Sequence, residues 1–136
     1  MSEIIVDDLT GKTSAGDITV TSEGGVATMQ LQQGLAKFWI NIDTSTFTVA
    51  DSLNNSSNTD SGSGLAVFSF TNSTGNTGYN FNTSRTGSSN STNGFIAESY
   101  AQTTSSISIA TKFIDSNSVN LGDSSAASTS INGDLA

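Results

Sequence analysis

The sequence predicts an all-β chain folded as an antiparallel, jelly-roll-like β-sandwich, and three observations carry that prediction. Short runs alternate apolar and polar residues with a period of two, as in LAKFWINI, GLAVFSFT and SISIATKF. Clusters of Gly, Ser, Asn and Asp punctuate these runs about every 8–15 residues, the rhythm of a sandwich or barrel. No stretch free of Gly and β-branched residues is long enough to sustain a helical period.

The elements follow in order. Residues 1–33 hold EIIVDDL, DITVT and GVATMQL, β-prone pieces broken at Gly11, Gly16 and Gly24-Gly25. They are either small strands or an extended arm that gains order on a partner. Residues 34–136 carry the sandwich. In LAKFWINI, Phe38, Ile40 and Ile42 share one face and Lys37, Trp39 and Asn41 the other. Phe47 and Val49 are in phase in STFTVAD. LNNSSNTDSGSG, residues 53–64, is expected to be a polar loop. GLAVFSFT is a strand with Ala66, Phe68 and Phe70 on one face and Leu65 and Val67 on the other. NSTGNTG is a turn region, Tyr79 and Phe81 have strand spacing, and residues 82–94 are expected to be a second polar loop. FIAESYA is a strand. SISIATKF places Ile107, Ile109, Thr111 and Phe113 on one face, and SVNL and STSI are weaker strands.

Composition narrows the function. The chain has 136 residues, enough for one modest core, with 34% apolar and 12% charged residues. Twelve acids against four bases give a net charge of −8, the wrong sign for nucleic acid. Cysteine and histidine are absent, which removes disulfides, thiolate chemistry, the usual general base near neutral pH and the commonest metal ligand. No segment approaches the ~20 apolar residues of a membrane helix. MSEIIVDDL lacks the basic start and apolar block of a secretory signal, so synthesis in a cytoplasm is expected.

Each candidate site also has a plainer role. Trp39 has the amphipathic ring of a sugar platform or an interface anchor, but its mid-strand position favours a core or subunit-interface role. Lys37 is expected to be solvated. Asp7, Asp8, Asp43 and Asp51 are too scattered for calcium, and the Asp60–Gly64 turn carries a single carboxylate. No metal, cofactor or catalytic site is expected.

Gly34 to Asn41, Thr48 to Ser57 and Asp60 to Thr71 together carry a resemblance. The pattern is a GLAK-aromatic-Trp-Ile-Asn strand, a TVADSLNNSS run, a DSGSG turn and a strand of alternating aromatics. It resembles a small β domain of fibre and decoration proteins in tailed bacteriophages, especially marine ones. Ile131-Asn132-Gly133-Asp134 resembles the close of such domains, and MSEIIVDDLTGKTSAG their particle-attachment segments. The chain departs from the family between Tyr79 and Phe95, where Ser, Thr, Asn and Gly replace an apolar run.

The resemblance implies a homotrimer on the virion, made in the host cytoplasm. The function expected is capsid decoration or cement, with the major capsid protein as partner. Ile4, Ile5, Val6, Leu9, Ile18 and Val20 are the candidate attachment residues. Phe38, Trp39, Ile40, Phe68 and Phe70 are to be divided between core and trimer interface. The alternative is a head-fibre or tail-fibre module that holds host-surface glycans in the two polar loops. Asn54, Asp60, Tyr79, Arg85 and Asn90 are its candidate contacts.

Overall fold

The computed structural model describes residues 5–11, 18–21, 24–25, 27–86, 95–115 and 118–133. The chain divides into two units, Met1–Leu35 and Ala36–Ala136. In the first, β1 (Thr19–Thr21) and β2 (Thr28–Gln30) form an antiparallel ladder with Val20 opposite Met29. A single helical turn, α1 (Leu31–Gly34), follows, and its Leu31 N–H donates to the Ile18 carbonyl at 2.7 Å. Three-residue strands offer too little surface to enclose a core. Among the described residues of this unit none is buried.

The second unit is built of β3 (Ala36–Asp43), β4 (Thr48–Leu53), β5 (Asn55–Gly62), β6 (Leu65–Phe70), β7 (Asn80–Thr86), β8 (Phe95–Gln102), β9 (Ser106–Asp115), β10 (Ser118–Leu121) and β11 (Ala126–Asn132). One antiparallel sheet has the order β4-β3-β11-β7. The other is organised on β9. Residues 107–113 of β9 pair with β8 along one edge. Along the other edge β6 takes residues 106–110 and β10 takes 112–115, with β5 beyond β6.

Alternation drives the two sheets together over one core, the arrangement of a β-sandwich. Phe38, Ile40, Ile42, Ala127 and Ile131 enter it from the four-stranded sheet, and Ala66, Phe68, Phe70, Ile107 and Ile109 from the five-stranded one. The Phe38 ring centroid lies 4.9 Å from Phe70 and 6.2 Å from Phe68, and Phe70 meets Tyr79 edge-on at 6.1 Å. These separations suit tilted and offset aromatic contacts.

Polar residues fix the corners. Asn54 takes φ of 60° where the chain leaves β4 for β5 and so passes from one sheet to the other. Its Nδ2 donates to the Lys37 and Asn72 carbonyls, both at 2.9 Å, and its Oδ1 accepts from Asn72 N–H at 2.7 Å. Asparagine suits the site because it tolerates left-handed backbone and supplies both hydrogen-bond senses. Buried Thr44 and Ser124 tie the β3–β4 turn to the segment before β11: Ser124 N–H donates to Thr44 Oγ1 at 2.7 Å, and Thr44 N–H to the Ser124 carbonyl at 2.9 Å. Thr111 holds a third corner, donating from N–H to the Gly64 carbonyl and from Oγ1 to the Gly122 carbonyl, both at 2.7 Å. Gly64 has φ of 71°, and a Cβ there would lie 2.5 Å from Gly122 N and from the Thr111 carbonyl oxygen, so glycine is required.

Several expectations are corrected. Residues 55–62 form β5 rather than part of a loop. β5 pairs only with β6 and has no apolar face, so it lacks the two-residue signal that marks a half-buried strand. Residues 82–86 likewise belong to β7, where polar Thr83 and Arg85 replace apolar residues on the side of Phe81. Phe47 lies in the β3–β4 turn with φ of 56° rather than in a strand, yet it packs against the core as Val49 does. Lys37 is buried rather than solvated. The strands expected at SVNL and STSI are present as β10 and β11, and β11 is flanked on both sides in its sheet.

Candidate functional site

The sandwich presents two outer faces, and strand register defines both. On the four-stranded sheet, Leu53, Trp39, Ser130 and Asn82 stand side by side across β4, β3, β11 and β7. The next outward row is Asp51, Asn41, Ser128 and Ser84. Rows two residues apart lie ~7 Å from each other, and strands within a row ~4.8 Å. Short serine side chains on β11 lie between Trp39 and Asn41 on β3 and Asn82 on β7. The relief leaves an open groove of about 440 Å³ over β3, β11 and β7. Trp39 is partly exposed on it, while Thr83 and Thr129 share a hydroxyl hydrogen bond of 3.0 Å on the inward side of the same strands.

The polar side chains of this groove differ from those at the corners. Asn54, Thr44, Ser124 and Thr111 are all tied to the backbone. Among the described residues, Asn41, Asn82, Ser84, Ser128 and Ser130 have no intramolecular side-chain partner. Each can still donate and accept toward a ligand.

The outer face of the five-stranded sheet carries the larger share of outward apolar side chains. Register places Leu65 and Val67 of β6, Ile96 of β8, Ile114 of β9, and Val119 and Leu121 of β10 on it. Val119 is 57% and Leu121 43% exposed. Lys112 and Glu98 form an ion pair across β9 and β8 on the same face.

The residues expected from sequence fall in three places. Phe38, Ile40, Phe68 and Phe70 are at most 6% exposed and lie in the core of a single copy, while Trp39 faces outward. Of the expected loop contacts, Tyr79 is buried, with its hydroxyl within hydrogen-bonding distance of the Thr103 (3.2 Å) and Ser106 (3.0 Å) carbonyls. Burial raises its pKa, with the Thr103 hydrogen bond opposing. Arg85 spans the sheets, donating from Nη1 to the Lys112 carbonyl at 2.8 Å and from Nη2 to the Asp123 carbonyl at 2.9 Å. Burial lowers its pKa against the pull of the Asp123 charge. Asn54 is the corner described above, and Asp60 accepts the Gly62 N–H at 2.9 Å. Asn90 lies outside the described residues.

In the N-terminal unit, Ile5, Val6 and Leu9 are 83%, 56% and 60% exposed, and Val20 and Met29, paired with each other on the ladder, are exposed as well. Ile18 is partly exposed, and Ile4 lies outside the described residues. Among the described residues no cluster of acids suits a metal, and no helix is long and apolar enough to cross a membrane.

Sequence reasoning missed the groove. Its signal was present, since Ser128 and Ser130 alternate with Ala127, Thr129 and Ile131. The pairing of those serines with Trp39 and Asn82, however, crosses more than forty residues of chain and is set by topology alone. Compared with protein families, curated proteins and solved structures, the chain matches none.

Proposed function

We propose that the protein is a structural component of a tailed-bacteriophage virion, a capsid decoration or cement protein. Its N-terminal unit binds the major capsid protein, and a trimeric, jelly-roll-like sandwich is displayed outward from the capsid surface. The observation that carries this reading is the contrast between the units. The sandwich buries Phe38, Ile40, Phe68, Ile107, Ile109 and Ile131, whereas the N-terminal unit exposes Ile5, Val6, Leu9, Val20 and Met29 and buries none of its described residues. Apolar side chains on a unit without a core gain most from a partner that covers them.

The mechanism is binding. The short β1–β2 ladder has open edges that can add to a strand of the shell. Threefold valency multiplies contacts that are weak singly. The trimer is assigned to the apolar outer face of the five-stranded sheet, because Phe38, Ile40, Phe68 and Phe70 are already buried within one copy.

The test is co-sedimentation with phage heads from the lysate in which the protein is made. The full chain is expected to pellet with heads. The triple variant Ile5→Asp/Val6→Asp/Leu9→Asp, with its sandwich intact by circular dichroism, is expected to stay in solution. A variant that pellets like the parent overturns the role of the N-terminal unit.

A further inference from the structure

We propose that the groove over β3, β11 and β7 is a binding site for an uncharged pyranose saccharide. The inference goes beyond attachment to a shell and does not depend on it.

The first argument is the hydrogen-bond inventory. Asn41, Asn82, Ser84, Ser128 and Ser130 line one groove and have no intramolecular side-chain partner among the described residues. A protein surface packed here would bury these groups and leave many unmatched, at a cost for each. A polyhydroxylated ligand matches them, because hydroxyls donate and accept as amides and serines do.

The second argument is the indole. Trp39 stands beside Ser130 in one row and is followed along β3 by Asn41 in the next. An aromatic surface adjoining amides suits a pyranose, which has an apolar C–H face and a rim of hydroxyls. Because Trp39 is only partly exposed and its strand is paired on both sides, the ring is held on a rigid element. Such preorganisation limits the ordering cost of binding.

Charge selects the class of sugar. None of the four basic residues lines the groove. Within the sandwich, Lys37 is buried, Arg85 holds backbone carbonyls, and Lys112 pairs with Glu98. Asp51 borders the outward row that contains Asn41. A sialic or uronic acid would therefore meet a carboxylate and no cation, whereas a neutral hexose meets no unfavourable charge. A peptide strand is disfavoured because the backbone groups beneath the groove are engaged in the sheet ladders.

Trp39 is the single tryptophan of the chain, so its indole reports on this site alone. The probes are neutral tetrasaccharides of gluco, galacto and manno configuration, with a sialylated tetrasaccharide as the charged comparison. The full-length protein is titrated with each, up to about 10 mM, a range that captures millimolar affinities. The readout is the Trp39 indole and Asn41 and Asn82 side-chain amide resonances. At least one neutral probe is expected to shift all three saturably, with the charged probe weaker. Asn82→Ala, an exposed change, is expected to weaken binding roughly tenfold, as loss of one well-made hydrogen bond would. Trp39→Phe, checked for folding, is expected to weaken it by a similar or larger factor. No saturable shift with any neutral probe overturns the proposal, as do shifts confined to other residues, preference for the charged probe, or binding unchanged in Asn82→Ala.

Discussion

On one side of the sandwich, Trp39 stands among Asn41, Asn82, Ser84, Ser128 and Ser130. On the other, Leu65, Val67, Ile96, Ile114, Val119 and Leu121 occupy the equivalent outward positions. Both sheets are antiparallel, and both send Phe, Ile and Ala inward to the core. Folding therefore does not dictate the difference. An outward residue on a paired strand is chosen by what meets it: water, a ligand or another chain. The polar face has hydrogen-bonding groups with no use inside the molecule, whereas the apolar face has area that gains from being covered.

The harshest way to break the comparison is to remove the support common to both faces. Phe68 is fully buried between the sheets, and Phe68→Ala is expected to cost about 3–5 kcal/mol, read by urea unfolding. Both the association and the saccharide response should weaken together. Thr111→Val is milder and local. It keeps the shape but removes the hydroxyl that donates to Gly122, leaving a buried carbonyl short of a partner, for about 1–3 kcal/mol.

A sharper test separates the faces. The double variant Val119→Asp/Leu121→Asp alters exposed residues, so folding stability should move by no more than about 0.5 kcal/mol for each change. Light scattering should nonetheless fall from the mass of the proposed trimer to the 13.9 kDa of one chain, while the Trp39 groove is unaffected. Trimers that persist in this variant would remove the apolar face from the assembly.

The smallest effect is on acid stability. Asp43 closes the β3–β4 turn, with Oδ1 accepting from Ser45 Oγ and N–H and from Thr46 N–H. The side-chain hydrogen bond from Ser45 is the main cause of its lowered pKa, with the backbone bonds adding. Its contribution is therefore fully present above the ordinary carboxylate value of 3.8 and is lost as pH falls through the lowered folded value. Asp43→Asn should lower the neutral plateau of a Tm-versus-pH curve slightly and leave its acid end nearly unchanged, so the acid limb is flatter.

How much was legible followed from burial. β3, β6 and β9 announce themselves because Phe38, Ile40, Phe68, Ile107 and Ile109 alternate with polar or smaller residues. β5 was hidden because an edge strand with polar residues on both faces looks like a loop. β7 was hidden because its inward Arg85 bonds the Lys112 carbonyl of β9 and the Asp123 carbonyl before β11 instead of joining an apolar cluster. The groove was the least legible, since three strands distant in sequence assemble it. The exposed apolar residues of the N-terminal unit were visible in the sequence, because short β-prone pieces broken by glycine cannot enclose a core.

The protein is proposed to sit on the surface of a phage head. Antibody–gold labelling of intact particles in the electron microscope tests it most directly. Label distributed over the heads is the predicted result. Label confined to tail tips, or absent from every particle, would contradict it.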